Sequence, residues 1–318
     1  MRLDIAAPTD LLERFFAAFL RLFLRIAFRP WIGPRLGPTA QRRWLRLLAL
    51  LMPGSVAGVA RRIESISGLD VEILSSKNVE TKGVVLYLHG GGFCWGDSPM
   101  YRDLCSHLAL ESGMPVWIPN YRLAPEHPYP CALDDALTVY DTLLQRGYSS
   151  NSIVLAGDSA GGALSLALAI HLNRLGRTAP AALALISPLV DGGATHDTTM
   201  PGVRGDPMIT RALLDQCLQW FKLPQGISEF TPLSIDLSGL PPMLIQAGDE
   251  EILFPDSIKL EAHAQSCKVP CRLEIYKDRW HVFHLQAFYL RSSRQALKAM
   301  ATFARHSIRS SGANTTPI

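Results

Sequence analysis

The chain lacks the sequence patterns that mark metal, nucleotide and nucleic-acid sites. Its 318 residues contain no zinc-ligand spacing, no Gly-x-Gly-x-x-Gly fingerprint and no phosphate-binding loop. The net charge is only +3, which is too small to indicate a nucleic-acid partner. Charged residues make up 19% of the chain and apolar residues 48%, so a large core is possible and wholesale disorder is excluded. We therefore expect a globular protein with no cofactor, no metal and no nucleic-acid partner.

Cysteine is scarce, and its placement indicates no disulfide framework. The six cysteines are scattered along the chain, and the two that lie nearest in sequence, Cys267 and Cys271, have neither redox nor zinc spacing. Thiols that are this few and this dispersed favour a reduced state over disulfide pairing. The expected compartment is therefore a reducing one, and we expect a cytoplasmic protein.

A charge-free apolar run is missing from residues 11–29, although this segment is very apolar. A membrane-spanning helix needs about 18 to 20 consecutive apolar residues, and Arg14, Arg21 and Arg25 interrupt this one. The three arginines fall on one helical stripe, which predicts an amphipathic helix with a wide apolar face. Three interpretations stay open. The segment is a lid helix packed on the domain, an interfacial helix that contacts a membrane or an apolar substrate pool, or a segment removed by processing.

Strand and helix patterns alternate from residue 59 onward, which predicts an α/β protein with a mostly parallel sheet. We expect eight strands with helices on both faces. Residues 1–58 are predicted to form an N-terminal helical cap segment, and residues 59–190 and 223–310 the sheet domain. The alternation stops at 191–222, which predicts a second, inserted cap segment. The last strand, at residues 272–276, is expected to be an exposed edge that pairs with a second copy in a homodimer.

One turn carries a candidate nucleophile. The apolar residues 153–156 run directly into Gly157-Asp158-Ser159-Ala160-Gly161, and a helical pattern follows at once. A strand, a tight turn and a helix in this order hold a serine hydroxyl over the carboxyl edge of the sheet. Asp158 is expected to orient the turn, with its side chain facing away from that of Ser159. The motif alone is a weak signal, because a chain of this length shows one by chance roughly one time in ten.

Residues at three other strand ends strengthen the assignment of Ser159 as a nucleophile. Glycines 90–92 follow a buried strand and can aim backbone N–H groups into a cavity, as an oxyanion requires. Their neighbour His89 is expected to be structural. Residues 249–251 place three carboxylates after a later strand, and one of them can hold an imidazole. His281 follows the last strand, and the order serine, acid, histidine is that of the α/β-hydrolase triad.

Three segments of the chain together resemble the motifs of a known family. The segments 89–93, 121–128 and 157–162, which read His-Gly-Gly-Gly-Phe, Tyr-Arg-Leu-Ala-Pro-Glu-His-Pro and Gly-Asp-Ser-Ala-Gly-Gly, closely resemble the hormone-sensitive-lipase-like esterases, bacterial family IV. The resemblance covers roughly residues 60–305. It implies an α/β-hydrolase fold, hydrolysis of carboxylic esters without a cofactor, and a helical cap built from the N-terminal helices and the insertion at 191–222.

The resemblance also implies the roles of particular residues. Ser159 would be the nucleophile and His281 the base, and the N–H groups of Gly91, Gly92 and Ala160 would form the oxyanion hole. The acid of the family usually lies three residues after the strand-end glycine, which gives Glu251 here, with Asp249 as the alternative. This sequence has Glu where the family usually has Asp, and it lacks the proline that commonly follows.

The expected substrates are small-molecule esters with short to medium acyl chains. Cys94 and Trp95 add bulk beside the glycine loop and are expected to narrow the alcohol side of the pocket. A related acyl hydrolase acting on a lactone, an amide or an acetylated small molecule remains the alternative, because the same residues serve all of these reactions. A non-catalytic ligand-binding protein, similar to the plant gibberellin receptors, is disfavoured because those proteins lose the catalytic histidine and His281 is present.

Overall fold

A nine-stranded sheet forms the centre of the protein in a computed structural model that describes residues 1–50, 52–77, 82–190 and 205–313. Its strand order is β1-β9-β8-β7-β6-β4-β5-β3-β2. Among the described strands, only the pairs β2–β3 and β3–β5 are antiparallel. The strands are β1 (Arg2–Ile5), β2 (Val59–Ile66), β3 (Leu69–Ser76), β4 (Val84–Leu88), β5 (Val116–Pro119), β6 (Ile153–Asp158), β7 (Ala182–Ile186), β8 (Met243–Gly248) and β9 (Cys271–Tyr276).

Helices cover both faces of this sheet, as the alternation predicts. They are α1 (Leu11–Phe23), α2 (Pro38–Ala49), α3 (Arg102–Ser112), α4 (Cys131–Gln145), α5 (Ala160–Arg174), α6 (Arg211–Phe221), α7 (Phe254–Ser266) and α8 (Arg291–Ala313). Two apolar cores result, because successive side chains of a strand point to opposite faces. In β4, Leu86 packs in the core under α4 and α5, whereas Val85 and Tyr87 pack in the core under α3 and α8.

Strand β1 departs from the sequence prediction. Residues 2–5 pair in parallel with β9, so the sheet has nine strands and the assignment of all of residues 1–58 to the cap is wrong for these four. A four-residue strand has too short an alternation to stand out beside a long helix. Because β1 covers the outer edge of β9, the prediction that residues 272–276 form an exposed edge is also wrong. A homodimer stays a prediction.

The N-terminal region otherwise follows the amphipathic pattern. Helix α1 continues into a π-helical turn at Leu24–Phe28, and α2 follows after a short proline- and glycine-rich connection. Ala17, Leu20 and Leu24 are buried against the body of the protein. No helix in the described parts of the chain is long and apolar enough to cross a membrane.

Two further segments differ from the expectation or fall outside the structure. The helical pattern of the sequence predicts a single helix from Phe283 to about Ile308, but a 3-10 turn at Phe283–Gln286 precedes α8, which starts at Arg291. The chain can leave the helix there because the Phe288 N–H donates to the Asp103 carboxylate at 3.0 Å. In the expected cap insertion at 191–222, α6 forms, whereas residues 191–204 lie outside the described part.

Candidate active site

Ser159 lies in the turn between β6 and α5, with a backbone φ of +52° and ψ of −120°. A positive φ is strained for a residue with a side chain, and a hydrogen bond from Ser159 N to Ile186 O at 2.9 Å helps to hold it. Only glycine fits at the two flanking positions, because other backbone atoms approach them closely. A Cβ at Gly157 would lie 2.5 Å from Leu88 O, and one at Gly161 would lie 2.0 Å from the same atom. The turn therefore fixes the serine in one conformation.

Three backbone N–H groups beside Ser159 are available to bind an anion. Gly91 and Gly92 line the same cavity as Ser159, and Ala160 is the next residue in the chain. None of the three N–H groups donates a hydrogen bond to another residue of the described chain. The first N–H of a helix has no partner within the helix, which accounts for Ala160. Gly91 has a φ of +115°, and a Cβ there would lie 1.8 Å from Trp95 O, so only glycine fits.

Asp158 anchors the glycine loop from below. Its Oδ1 accepts hydrogen bonds from the Tyr87 hydroxyl and from Gly90 N, both at 2.9 Å, and its Oδ2 accepts one from the Tyr101 hydroxyl at 3.3 Å. Burial raises the pKa of Asp158 to about 7, although the bonds from Tyr87 and Gly90 act in the opposite direction. The sequence predicted that Asp158 orients the turn in which it lies. The contacts show that the carboxylate also holds the loop that precedes the two free N–H groups.

His281 lines the cavity that contains Ser159, and it is only 2% exposed. It follows β9, as the sequence predicted. Burial lowers the pKa of His281 to about 3, so the imidazole is neutral near neutral pH. A neutral imidazole is the state that can accept a proton from a serine hydroxyl.

Two other histidines lie near the site in the sequence but are held outside the cavity. They are His89, which precedes the glycine loop, and His284, which follows His281. The Nδ1 atom of His89 lies 2.8 Å from Gly90 O, and its ring stacks on Tyr121 with the centroids 4.2 Å apart. The Nε2 atom of His284 lies 3.1 Å from Gln246 Oε1 under the sheet. Neither side chain lines the cavity of Ser159. The position of His89 agrees with the structural role expected from the sequence.

Glu251 is the carboxylate that approaches His281. Its Oε2 lies 4.0 Å from His281 Nδ1, a separation longer than a hydrogen bond. Catalytic contacts are often this long before a substrate binds. The alternative acid, Asp249, instead lies 3.8 Å from Lys277 Nζ, and no ion pair within 4.0 Å joins it to His281 in the described chain. The geometry thus favours Glu251 over Asp249.

Sequence reasoning missed Ser187, which connects the acid to the base loop. Its hydroxyl donates to Glu251 Oε2 at 2.7 Å and accepts from Val282 N at 3.4 Å. Burial raises the pKa of Glu251 well above its usual range, whereas the Ser187 bond favours the ionised form. Ser187 also has a strained φ of +46°. Its one sequence signal is a polar residue directly after β7, at the carboxyl edge where functional side chains gather.

Asp206 ties the cap to the turn that carries the acid. Its Oδ1 accepts from Met208 N and Ile209 N at 2.8 and 2.9 Å, and its Oδ2 accepts from Ile252 N at 3.1 Å. Burial raises the pKa of Asp206 to about 6, against these three hydrogen bonds. Asp206 falls within the predicted cap insertion at 191–222, and no sequence pattern indicates its link to residue 252.

Helix α1 also contacts both loops of the site. Arg21 forms an ion pair with Glu250, the neighbour of the acid, and donates to Asp278 O at 2.7 Å in the base loop. Glu13 accepts from Arg279 Nη2 at 2.9 Å, and both of these side chains are at least 95% buried. The N-terminal helix therefore clamps the acid turn against the histidine loop.

The cavity above Ser159, which we name the catalytic cavity, is small and mostly apolar. Besides the residues already described, its walls include Trp95, Leu189, Met208, Ile209, Leu213, Leu214, Cys217 and Leu285. Its volume is about 30 Å³, room for roughly two or three water molecules. Within the described residues, no cluster of three or more His, Cys, Asp or Glu side chains could hold a metal ion.

Comparisons with known proteins agree with the observed fold. A family profile described as alpha/beta hydrolase fold matches residues 85–285. An esterase from Acinetobacter venetianus is 31% identical over an alignment covering 90% of this chain and 95% of the relative. An acetyl-hydrolase from Streptomyces hygroscopicus is 35% identical, with 70% and 75% covered. A solved esterase of the bacterial hormone-sensitive lipase family is 31% identical and superposes with a TM-score of 0.85 over 95% of this chain and 99% of that one.

Proposed function

We propose that this chain, which belongs to the hormone-sensitive-lipase-like esterases of the α/β-hydrolase superfamily, hydrolyses carboxylic esters through an acyl-enzyme formed on Ser159. The observation that carries the proposal is the strained turn that holds Ser159 in one cavity with His281 and the glycine loop. The relatives named esterase and acetyl-hydrolase support the same class of reaction.

The proposed mechanism begins with attack of the Ser159 hydroxyl on the ester carbonyl carbon, while His281 takes the hydroxyl proton. The N–H groups of Gly91, Gly92 and Ala160 stabilise the negative oxygen of the tetrahedral intermediate. His281 then gives its proton to the leaving alcohol, and the acyl group stays on Ser159. Water attacks the acyl-enzyme in the same way, with His281 as base, and releases the carboxylic acid.

In this mechanism Glu251 fixes the orientation of His281 and stabilises its transient positive charge. A closure of less than about 1.5 Å would convert the present 4.0 Å separation into a charge-assisted hydrogen bond. Ser187 keeps Glu251 in place meanwhile.

Variants of the proposed catalytic residues test the mechanism. Ser159→Ala and His281→Ala should lose about 10³-fold or more in kcat on p-nitrophenyl butyrate while remaining folded. A fluorophosphonate probe should label the wild-type protein and Ser165→Ala, a control at another buried serine of α5, but not Ser159→Ala.

For the acid, Glu251→Ala should lose more activity than Asp249→Ala. Full activity in Ser159→Ala, or a larger loss in Asp249→Ala, would contradict the respective assignment.

A second candidate is removal of an acetyl group from a small acetylated molecule. The small volume of the catalytic cavity favours a short acyl group, and a relative is named as an acetyl-hydrolase. A comparison of kcat/KM for acetyl and butyryl esters of one alcohol distinguishes the two candidates, because a preference of tenfold or more for acetyl favours the second.

We also propose that α1 contacts an anionic lipid surface. Five large apolar residues form one exposed stripe at helical spacing, each 55 to 66% exposed: Leu12, Phe15, Phe19, Leu22 and Ile26. Residues 10–50 contain eight arginines but only two acidic residues, a charge that complements anionic lipid.

Vesicle sedimentation tests this contact. The wild-type protein should sediment with phosphatidylglycerol vesicles, and the double variant Phe15→Ser/Leu22→Ser should not. Ile63→Ser, at an exposed apolar position on β2, is the matched control and should bind as the wild type does. If the double variant instead dissolves a homodimer in vesicle-free buffer, the stripe binds a second copy of the chain and the lipid proposal fails.

A further inference from the structure

The glycine loop beside Ser159 is held from α2 as well as from the sheet. Arg42 lies on α2, and its Nε donates to Cys94 O at 2.7 Å. At the other end of the loop, Asp158 of β6 accepts from Gly90 N at 2.9 Å. A residue of an N-terminal helix and a residue of the sheet therefore hold the two ends of one loop.

Two peptide units connect Arg42 to the oxyanion hole. Arg42 binds the carbonyl of the peptide between Cys94 and Trp95, and the N–H of that peptide donates to the Gly91 carbonyl at 3.1 Å. The Gly91 carbonyl belongs to the peptide whose N–H is that of Gly92. In a trans peptide the C=O and N–H groups lie in one plane and point in opposite directions. A fixed carbonyl therefore fixes the direction of the N–H group behind it, as far as Gly92 N.

A parallel path ends on the same carbonyl. Ala124 N donates to Phe93 O at 2.9 Å, and the N–H of the peptide that contains Phe93 O, on Cys94, donates to Gly91 O at 2.9 Å. Arg42 also holds the start of this path, because its Nη2 donates to Ala124 O at 2.6 Å. Both sets of bonds that orient the Gly91 carbonyl thus begin at one guanidinium.

Arg42 is itself held in one orientation. Its two terminal nitrogens bind the two carboxylate oxygens of Glu126 at 3.0 and 2.8 Å. The hydrogen bond from Arg42 lowers the pKa of Glu126, so this carboxylate is ionised near neutral pH. A guanidinium offers this planar fork together with a further N–H group at Nε, whereas a lysine ammonium is a single point charge.

The same chain of bonds responds to charge. Hydrogen bonds in a chain polarise one another, and a bond from a charged donor is roughly twice as strong as a neutral one. The positive Arg42 begins this chain, and the negative oxygen of the tetrahedral intermediate would end it at Gly92 N. The chain should therefore be stronger in the transition state than in the resting enzyme, which is the condition for accelerating a reaction.

We propose that Arg42 is a positioning residue of the oxyanion hole and acts on Gly92 N through these peptide units. This inference rests on the proposed ester hydrolysis at Ser159. Arg42 does not line the catalytic cavity, so its effect passes through the glycine loop and not through contact with the substrate. The oxyanion hole is then complete only when α2 is docked on that loop.

Variants of Arg42 and Glu126 separate positioning from simple stabilisation. Both Arg42→Ala and Glu126→Ala remove the ion pair, but only Arg42→Ala removes the bond to Cys94 O. For p-nitrophenyl acetate, kcat should fall about tenfold or more in Arg42→Ala and less than about threefold in Glu126→Ala. KM should stay within about twofold in both, because the oxyanion hole acts in the transition state. Arg211→Ala, which removes an exposed ion pair with Asp215 on α6, is the control and should keep the wild-type kcat.

Arg42→Lys keeps the proposal testable if Arg42→Ala proves unstable. The lysine keeps the positive charge and can pair with Glu126, but one ammonium cannot replace all four bonds of the guanidinium. We expect it to fold as the wild type does and to lose about threefold or more in kcat. The proposal is overturned if Arg42→Lys keeps the wild-type kcat, or if Arg42→Ala and Glu126→Ala lose kcat equally.

Hydrogen exchange, followed by mass spectrometry on the peptide that contains residues 90–95, separates this proposal from the proposed reaction. The N–H groups of Cys94 and Trp95 bind Gly91 O, so their exchange should be about threefold or more faster in Arg42→Ala and unchanged in Arg211→Ala. If the wild-type protein hydrolyses no ester but shows this exchange pattern, the proposed reaction fails and the positioning of the loop stands. If it hydrolyses p-nitrophenyl acetate but Arg42→Ala keeps the wild-type kcat, only the positioning role fails.

Discussion

Asp158 shows how a residue beside the nucleophile can act through a different loop. Its carboxylate accepts hydrogen bonds from Gly90 N and two tyrosine hydroxyls. Asp158→Asn keeps one oxygen acceptor and should reduce kcat by about tenfold or less, whereas Asp158→Ala leaves all three donors unpaired and should reduce it about 100-fold or more. KM should change little in either variant, because the glycine loop acts in the transition state. Steady-state kinetics on p-nitrophenyl butyrate checks the order, and equal losses would contradict the anchoring role.

The burial of His281 predicts an unusual pH profile. A base must be unprotonated to act, and burial lowers the pKa of His281 from 6.5 to about 3. We therefore expect kcat/KM to stay nearly constant from pH 8 down to about pH 5, instead of falling below pH 6.5. An acid limb near pH 6.5 would show that the negative charge of Glu251 offsets the effect of burial.

The same shift has a consequence for stability. Between pH 6.5 and about 3, the unfolded chain binds a proton at His281 and the folded chain does not. The free energy of unfolding should therefore decrease as the pH falls through this window, and His284, whose pKa burial also lowers to about 3, adds to the effect. Urea unfolding of the wild-type protein and of His284→Gln at pH 7 and pH 5 measures the contribution of His284.

For single residues, the sequence was informative where the adjacent positions in the chain define the role. Ser159 and Gly91 were recognisable because the tight turn and the glycine run are local patterns. Ser187 and Asp206 were not, because each acts on a carboxylate or an N–H group more than 40 positions away in the chain. No short-range pattern encodes such a contact.

At the scale of elements, α1 has two functions on two faces. One face contacts the loops of the site through Glu13 and Arg21, and the other presents exposed apolar residues. Periodicity predicted the helix and its amphipathic character. It did not predict that the polar stripe faces inward at Glu13, because a charged residue is ordinarily assigned to the solvent side.

The buried pair of Glu13 and Arg279 should be important for stability. Burial acts to raise the pKa of Glu13, but hydrogen bonds from Ser292 and Arg279 outweigh it and lower the pKa below its usual value. Glu13→Ala removes the counter-ion of the buried Arg279, which keeps only the neutral Ser292 hydroxyl and the Asp278 carbonyl as partners. The loss should cost about 3–5 kcal/mol of unfolding free energy. The double variant Glu13→Leu/Arg279→Met should recover most of the loss. Urea titration measures both, and a loss under 1 kcal/mol in Glu13→Ala would contradict the clamp.

For the whole molecule, the mostly parallel sheet with helices on two faces was predictable because continuous apolar strands alternate with helical segments. The edges of the sheet were harder to predict. Which strand ends a sheet depends on pairing between distant segments, here residues 2–5 with residues 272–276. The interpretation of residues 272–276 as an open edge failed for this reason.

Strand β1 should therefore act as the cover of β9. In the full chain, Leu273 N donates to Met1 O at 2.9 Å and Lys277 N to Ile5 O at 3.0 Å. Deleting residues 2–5 should leave these donors unpaired and expose an apolar strand edge, so we expect dimers or larger aggregates.

Light scattering after size-exclusion chromatography at two protein concentrations measures the effect. Arg2→Ala is the matched control, because it removes the ion pair with Glu261 at 2.8 Å but keeps the strand. The control should keep the mass of the full chain, whereas the deletion should gain mass as the concentration rises. An unchanged mass and melting temperature in the deletion would mean that β9 tolerates an open edge. In that case β1 would be dispensable to the sheet.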